Sequence, residues 1–404
     1  MELDLLATLI ISVLVLWIGA SASKRVPPLA KLQLPDAVTG GIVCSLVIAG
    51  ISVASGQPIT FDLTLRDALL LLFFSSIGLG ARLDDMAKGG RTLLKLSVVV
   101  AAFLFMQNLV GVALALLLDK PPGFGLLGGS VSLAGGHGTA ISWGKFAEEQ
   151  GHSGVTEVGV AFATVGLICG GLVGAPLGAW LLRRHRLEAG SPKYEGVAPS
   201  ASRTDPAAPA GGESDRSLVS SRSVINALFM FAICVALGET MNNWLGATGI
   251  MLPGFLTAMA SGILLSNVGR WRGWDIHAPS VSLLGDVSLE LFLAMSLMSM
   301  NLLGLSAYLG PIALMMAGQV VLVVVVASFI VFRVAGRDFD AAVISAGFAG
   351  IALGATPVAV ANMQALTARY GASTKAFIVI PLLGAFFLDI VNAFAIQLWI
   401  SLIS

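Results

Sequence analysis

The sequence predicts an all-α polytopic membrane protein, with ten transmembrane helices arranged as two inverted five-helix repeats, each carrying one re-entrant hairpin. Three observations carry that expectation. The 404 residues are 56% hydrophobic and only 11% charged, with a mean hydropathy of +0.90, whereas soluble domains carry about 25% charged residues. Residue pairs recur at a nearly constant separation. Two apolar, glycine-studded stretches break at matching places in the two halves.

Spanning helices need about 20 apolar residues. The first half offers 5–22, 36–56, 65–82, 93–118 and 155–182. The run at 5–22 could pass for a secretory signal, but its leader Met-Glu-Leu-Asp is acidic where a signal is basic, so it is expected to stay as a helix. Between the fourth and fifth spans lies Gly123-Phe-Gly-Leu-Leu-Gly-Gly-Ser-Val-Ser-Leu-Ala-Gly-Gly-His-Gly-Thr139, a hairpin over 123–149. Residues 183–222, rich in Ser, Pro, Ala, Gly and charge, cannot bury a core and read as a flexible linker. The second half offers 223–245, 250–267, 281–302, 308–332 and 374–402. Its hairpin, 341–369, contains Gly347-Phe-Ala-Gly-Ile-Ala-Leu-Gly-Ala-Thr356-Pro357. Glycine costs about 1 kcal/mol in a helix interior and proline about 3, so each hairpin reads as helix–break–helix, with the breaks at Gly138-Thr139 and Ala355-Thr356-Pro357.

The halves, 1–182 and 223–404, match in order. Leu34-Pro35 pairs with Leu252-Pro253, Asp67 with Asp286, Phe73-Phe74 with Phe292-Leu293, Thr139 with Thr356 and Gly166 with Gly384, all 217 to 219 positions apart. Gln107 and Gln319 lie 212 apart, which requires one difference in loop length. Five spans is an odd number, so the second copy enters the membrane upside down, the plan of secondary transporters. With the N-terminus outside, 20 of the 23 Lys and Arg fall on cytoplasmic loops; only Arg66, Lys120 and Lys145 fall outside. Both termini are then outside, the linker is cytoplasmic, and the two hairpins enter from opposite faces with their tips near the midplane.

Net charge is zero and no basic patch argues for nucleic acid; the partner implied by composition is membrane lipid. Cys44, Cys169 and Cys234 sit inside apolar segments at neither zinc nor disulfide spacing, and read as free core thiols.

A broken helix frees backbone N–H groups at the start of its second limb, which attract a carboxylate, while unwound carbonyls hold a cation. The substrate candidates are therefore Ser132, Gly135, Gly136, His137, Gly138 and Thr139, and on the other copy Gly350, Gly354, Ala355, Thr356 and Asn362. Small residues also let helices pack closely, and Gly128 and Gly129 fit that role better. His137, alone of its kind at membrane depth, is either a ligand or proton relay, or a polar cap on the tip's freed backbone. No Cys, His or carboxylate cluster beside it suggests a transition metal.

Asp389 lies mid-way along the last span with Asn392 on the same face. A carboxylate at that depth costs about 2.5–3.5 kcal/mol to insert, so it reads as functional, and hard oxygens suit sodium or proton coupling. The hydroxyls of Thr139 and Thr356 complete the candidate cation set. Glu157 sits nearer the outer surface and reads as interfacial. Asp67 and Asp286 begin helices, where a carboxylate is structurally favourable. Gln107 and Asn108 read as interhelical hydrogen bonders; Glu290 has no twin in the other copy.

The strings Ser132-Leu-Ala-Gly-Gly-His-Gly-Thr139 and Gly354-Ala-Thr-Pro-Val-Ala-Val-Ala-Asn-Met-Gln-Ala-Leu-Thr367 resemble the bacterial sodium/glutamate symporters. Arg66-Asp67, Met106-Gln107-Asn108, Thr156-Glu157-Val158, Asn362-Met-Gln364 and Gly384-Ala-Phe-Phe-Leu-Asp-Ile-Val-Asn392 extend that resemblance over all but the linker. The departures from it are the Pro/Ala/Ser-rich linker and Glu290. The resemblance implies sodium-coupled uptake of L-glutamate at the inner membrane, sodium as co-transported ion with no organic cofactor, and a homodimer whose transport part moves like an elevator. The scaffold is expected in helices one, two, six and seven. Residues and spacing alone reach an ion-coupled carrier of a small, anionic solute. They leave open a citrate-like carboxylate carrier, a sodium/proton antiporter, a channel, and an intramembrane hydrolase using Ser132 or His137 with Asp389. The duplication argues against that enzyme, because His137 aligns with Gly354 and Ala355 and no dyad repeats.

Overall fold

A backbone without water must satisfy its own hydrogen bonds, so apolar runs of this length become helices. A computed structural model describes residues 2–25, 35–57, 59–81, 90–149, 154–187, 219–247, 252–272, 274, 276–300 and 308–403. In order the helices are α1 (Leu5–Arg25), α2 (Asp36–Ser55), α3 (Thr64–Gly80) and α4 (Gly90–Leu117). The first hairpin follows as α5 (Pro122–Leu126), a π-helical turn (Leu127–Val131) and α6 (Gly136–Glu149). Then come α7 (Val155–His185), α8 (Ser221–Ala247), α9 (Gly254–Trp271), α10 (Ala278–Met298) and α11 (Leu309–Ala335). The second hairpin is α12 (Phe339–Leu353) and α13 (Thr356–Tyr370). The last helix, α14, joins Thr374–Leu382 to Leu388–Ile403 through a π-helical turn. Two short strands, Glu2–Leu3 and Thr60–Phe61, pair in parallel with Glu2 opposite Thr60.

Every expected span is helical, with ends within four residues of those expected. Positions 82, 250, 251, 301 and 302, and linker residues 188–218, lie outside the described residues; the linker's edges extend α7 and α8. Among the described residues six helices are long and apolar enough to cross a membrane: α1, α4, α7, α8, α10 and α11. The cysteines carry no disulfide; Cys234 is buried, and Cys44 and Cys169 half-buried.

Local chemistry sets the helix ends. Lys24 and Arg25 close α1, where cations favour a helix C-terminus. Gly56 ends α2 in the left-handed region. Asp338 caps α12 by accepting the Ala341 N–H at 2.8 Å. Pro35 and Pro253 stand before α2 and α9, and their carbonyls accept the N–H groups of Val38 and Leu256, each at 3.0 Å. A Cβ on Gly19 would overlap the Asp36 carbonyl and come within 3.0 Å of the Gly40 nitrogen; one on Gly238 would come within 2.7 Å of the Ala258 nitrogen. The crossing of α1 with α2 is thus made at residues about 218 positions before those joining α8 to α9.

The helices sort into two lobes. Helices α1, α2, α3, α8, α9 and α10 pack together; α4, α7, α11, α14 and both hairpins pack together. Leu79, Phe231, Cys234, Leu265 and Val281 form a separate apolar cluster inside the first lobe. The lobes meet mainly where α10 touches α6 and where α3 touches the π turn of α14. At that seam a Cβ on Gly138 would lie 3.3 Å from the Phe73 ring and 3.5 Å from Leu289.

Candidate functional site

The first hairpin changes direction in steps. Its π turn holds Gly129 at φ −106° and ψ −138°, outside helical geometry, so backbone groups around it lose their helical partners. Two side chains replace them. Asn108 of α4 accepts the Ser130 N–H at 2.8 Å, and the Asn392 amide of α14 donates to the Ser130 carbonyl at 3.0 Å. The chain then passes through Ser132–Gly135 and starts α6 at Gly136, whose φ of +67° is the left-handed conformation that glycine alone adopts freely.

The second hairpin breaks at two residues, Gly354 at φ −154° and ψ −98°, which is neither helical nor extended, and Ala355, which is extended. A helix end leaves carbonyls without partners; Gln107 of α4 serves one of them, its amide donating to the Ala352 carbonyl at 2.9 Å. The Gln319 amide in turn donates to the Gln107 carbonyl at 2.9 Å. Ala355 gives no side-chain cap to α13 and Pro357 occupies its first turn, so the N–H groups there lack a side-chain partner.

The two breaks meet. A Cβ on Gly136 would stand 3.7 Å from the Gly354 carbonyl oxygen. The N-termini of α6 and α13 therefore open onto one locality, framed by α7, where Gly166 lies against Leu133 and the Leu353 carbonyl.

The sequence candidates fall into groups around this point. Ser132 is fully buried and its hydroxyl has no partner among the described residues. Gly135 donates its N–H to the Ser130 carbonyl at 2.9 Å. Gly138 and Thr139 do not form the break, as expected, but the first turn of α6, because the positive φ falls at Gly136 instead. His137 is buried and does not cap the tip: its Nε2 lies 3.0 Å from the Thr164 hydroxyl, which itself donates to the Val160 carbonyl at 2.9 Å. With the Thr164 hydroxyl given to Val160, its oxygen is left to accept from the Nε2–H tautomer of His137. Gly350 lies against Ala359, and Asn362 donates to the Gly170 carbonyl of α7 at 2.9 Å. Thr356 is half-buried against Gly384, about one turn before Asp389 on α14.

Asp389 and Asn392 share a face but not an environment. Asn392 is fully buried and reaches the first hairpin; Asp389 is half-buried and makes no hydrogen bond or ion pair among the described residues. Gln107 and Asn108 make interhelical hydrogen bonds, as their polarity in an apolar helix suggested. Asp67 takes a structural part, accepting from Arg66 at 3.1 Å and Lys145 at 2.5 Å. Sequence reasoning missed Ser130, Thr164 and Gln319. Ser130 and Thr164 differ from ordinary small polar residues only through the partners the fold brings them.

Buried oxygens without partners mark what the site still lacks. Ser130 Oγ, Ser132 Oγ and Asn392 Oδ1 are in that state among the described residues. A buried polar atom left unpaired costs about 1–3 kcal/mol. Three hard oxygen donors on or beside one kinked turn suit an alkali cation better than a soft metal.

A family model described as Sodium/glutamate symporter matches residues 1–372. The chain is 38% identical over 403 residues to the sodium/glutamate symporter of Escherichia coli (strain K12), covering 99% of this chain and 98% of that one. The same identity and coverage hold for the sodium/glutamate symporter of Shigella flexneri. With that of Haemophilus influenzae (strain ATCC 51907 / DSM 11121 / KW20 / Rd) it is 36% over 392 residues, 96% and 94% of the two chains.

Proposed function

Because this chain belongs to the sodium/glutamate symporter family, we propose that it carries L-glutamate inward across the inner membrane on a sodium gradient. It is a multi-pass membrane protein. In this reading ten spans form two inverted repeats, 1–182 and 223–404, with both termini outside, the linker cytoplasmic, and each hairpin re-entrant. The observation that carries the reading is the meeting of the Gly136 and Gly354 breaks.

The substrate's carboxylates dock on the first-turn N–H groups of α6 and α13, where freed donors and helix dipoles favour negative charge. Ser132, Gly135, Gly136, Gly138 and Thr139 line one side of that locality and Gly354, Ala355 and Thr356 the other, with Gly350 and Asn362 fixing the second hairpin behind them. With its proton on Nε2, His137 keeps Nδ1 as an acceptor for the substrate's ammonium. Sodium is co-transported cargo, held by oxygens of Asn392, Ser130 and Ser132 together with Asp389, Thr139 and Thr356. By filling the kinked turn it completes the first tip, which couples cation to substrate.

The lobe carrying both hairpins then slides as an elevator against the other, which forms the homodimer scaffold. The spans expected in the scaffold, the first, second, sixth and seventh, are α1, α2, α8 and α9, and α3 and α10 pack with them. A ligand moves such an equilibrium only as far as it binds the two states differently. The hydrolase alternative is disfavoured: the relatives are named as transporters, and among the described residues neither Ser132 nor His137 is hydrogen-bonded to a candidate catalytic partner.

The test is uptake into proteoliposomes. Labelled L-glutamate should accumulate under an inward sodium gradient. Accumulation under a proton gradient without sodium, or of citrate in place of glutamate, would overturn the assignment.

A further inference from the structure

A cleft of about 320 Å³ opens roughly two turns along α6 from His137. Its walls come from both lobes: Arg66 at the start of α3, Ser296 at the end of α10, Lys145 and Glu148 on α6, and Thr156 and Glu157 at the start of α7. Its charged lining is balanced, two cations and two carboxylates, which fits a zwitterion better than a simple anion.

Each charge is differently engaged. Only the Nε–H of Arg66 has a partner among the described residues, Asp67 at 3.1 Å, which leaves its terminal amino groups free for a planar carboxylate. Lys145 sits 2.5 Å from Asp67 and 3.8 Å from Glu149. Glu148 is occupied as the cap of α7, accepting the Thr156 N–H at 3.1 Å. Glu157 is not: its Oε2 is buried without a partner among the described residues, as are Thr156 Oγ1 and Ser296 Oγ. Buried oxygens are nearly always hydrogen-bonded, so this corner lacks a donor, and a carboxylate with two hydroxyls is the set that receives an ammonium group.

We infer that this cleft is a second, vestibular binding site for a free α-amino acid bearing a side-chain carboxylate, its ammonium on Glu157 and its carboxylates on Arg66 and Lys145. It rests on the reading of the chain as a carrier of acidic amino acids, and adds a stop before the hairpin tips that needs no sodium, since none of its groups belongs to the cation set. Loss of one charge-assisted contact there weakens capture without touching the translocating site.

Ser299 lies exposed on the cleft rim. With Cys44, Cys169 and Cys234 replaced by alanine, Ser299→Cys should react with a membrane-impermeant maleimide. L-Glutamate should slow that reaction severalfold in sodium-free buffer, and glutarate, which lacks the ammonium, should protect less. Glu157→Gln should treat the two alike. In transport, Arg66→Gln and Glu157→Gln should each raise KM about tenfold, or 1.4 kcal/mol, with Vmax unchanged. Equal labelling with and without glutamate, or unchanged KM in both variants, in protein that still accumulates glutamate on sodium, sinks the vestibule and spares the carrier. Equal protection by glutarate in the parent protein sinks the role of Glu157. Failure of the parent to accumulate glutamate sinks the carrier reading itself.

Discussion

In the second hairpin Gly350 lies against Ala359 and Gly347 against Met363, so its limbs run antiparallel and pack directly on each other. Except for half-buried Asp340, every residue of its first limb is buried. In the first hairpin the short limb packs chiefly on α4 and the long limb on α7. Its kinked turn is held by Asn108 and Asn392, and its histidine by Thr164. The limbs of the second hairpin thus pack on each other and on α7, with Gln107 serving one carbonyl, whereas the turn of the first is held by side chains on three other helices. The lesson is that duplication preserves the path of the chain while the chemistry at the two tips diverges. The first tip gathers three unpaired oxygens, Ser130 Oγ, Ser132 Oγ and Asn392 Oδ1, so cation dependence should concentrate there and mechanical stability in the second.

The sharpest way to break that comparison is to add a side chain at the glycine of each tip. Gly136→Val needs a β-branched residue at φ +67°, and non-glycine strain in such regions costs about 1–3 kcal/mol before any crowding at the tip. It should abolish glutamate uptake, below about 1% of the parent rate, while membrane insertion and yield are kept; Gly354→Ala, at a negative φ of −154° but with its Cβ pressed to 3.1 Å from Leu167 Cα, should lower uptake without abolishing it. Normal transport by the Gly136 variant would show that the tip geometry does not matter. Next, Asp389→Asn should raise the sodium concentration for half-maximal uptake about tenfold, with Asn392→Ala shifting it in the same direction; a tenfold shift corresponds to about 1.4 kcal/mol of lost cation binding. Unchanged sodium dependence in sodium titrations would remove α14 from coupling.

Smaller effects test the second tip. Gln107→Leu leaves the Ala352 carbonyl unpaired, so it should cost about 1–3 kcal/mol of stability, seen as a lower melting temperature in detergent with sodium dependence unchanged. Pro357→Ala should change uptake by less than about twofold, because proline in the first turn of a helix removes no hydrogen bond the helix would have made.

Much of this was legible in the chain. Apolar length placed the helices, and glycine and proline placed both breaks, though the first break falls two to three residues earlier than Gly138-Thr139 suggested, since spacing does not tell which glycine takes the positive φ. Gln107 and Asn108 were recognisable because polar amides are conspicuous among Phe, Leu and Val. The partners of those amides were not legible: Ser130 lies 22 positions from Asn108 and 262 from Asn392. The parting of Asp389 from Asn392 was equally hidden, because helical periodicity assigns a shared face and says nothing of which neighbour covers each residue.

The contact between Lys145 and Asp67 joins α6 to α3 and so bridges the two lobes at one end of the molecule. Its pseudo-equivalent is missing: Asp286 accepts only a 3.5 Å hydrogen bond from Ser282 on its own helix and has no ion-pair partner among the described residues. A half-exposed pair of this kind is worth about 0–1 kcal/mol. The empty carrier should therefore idle unequally between its two ends, by up to about fivefold, and concentrated salt should even out the resting populations.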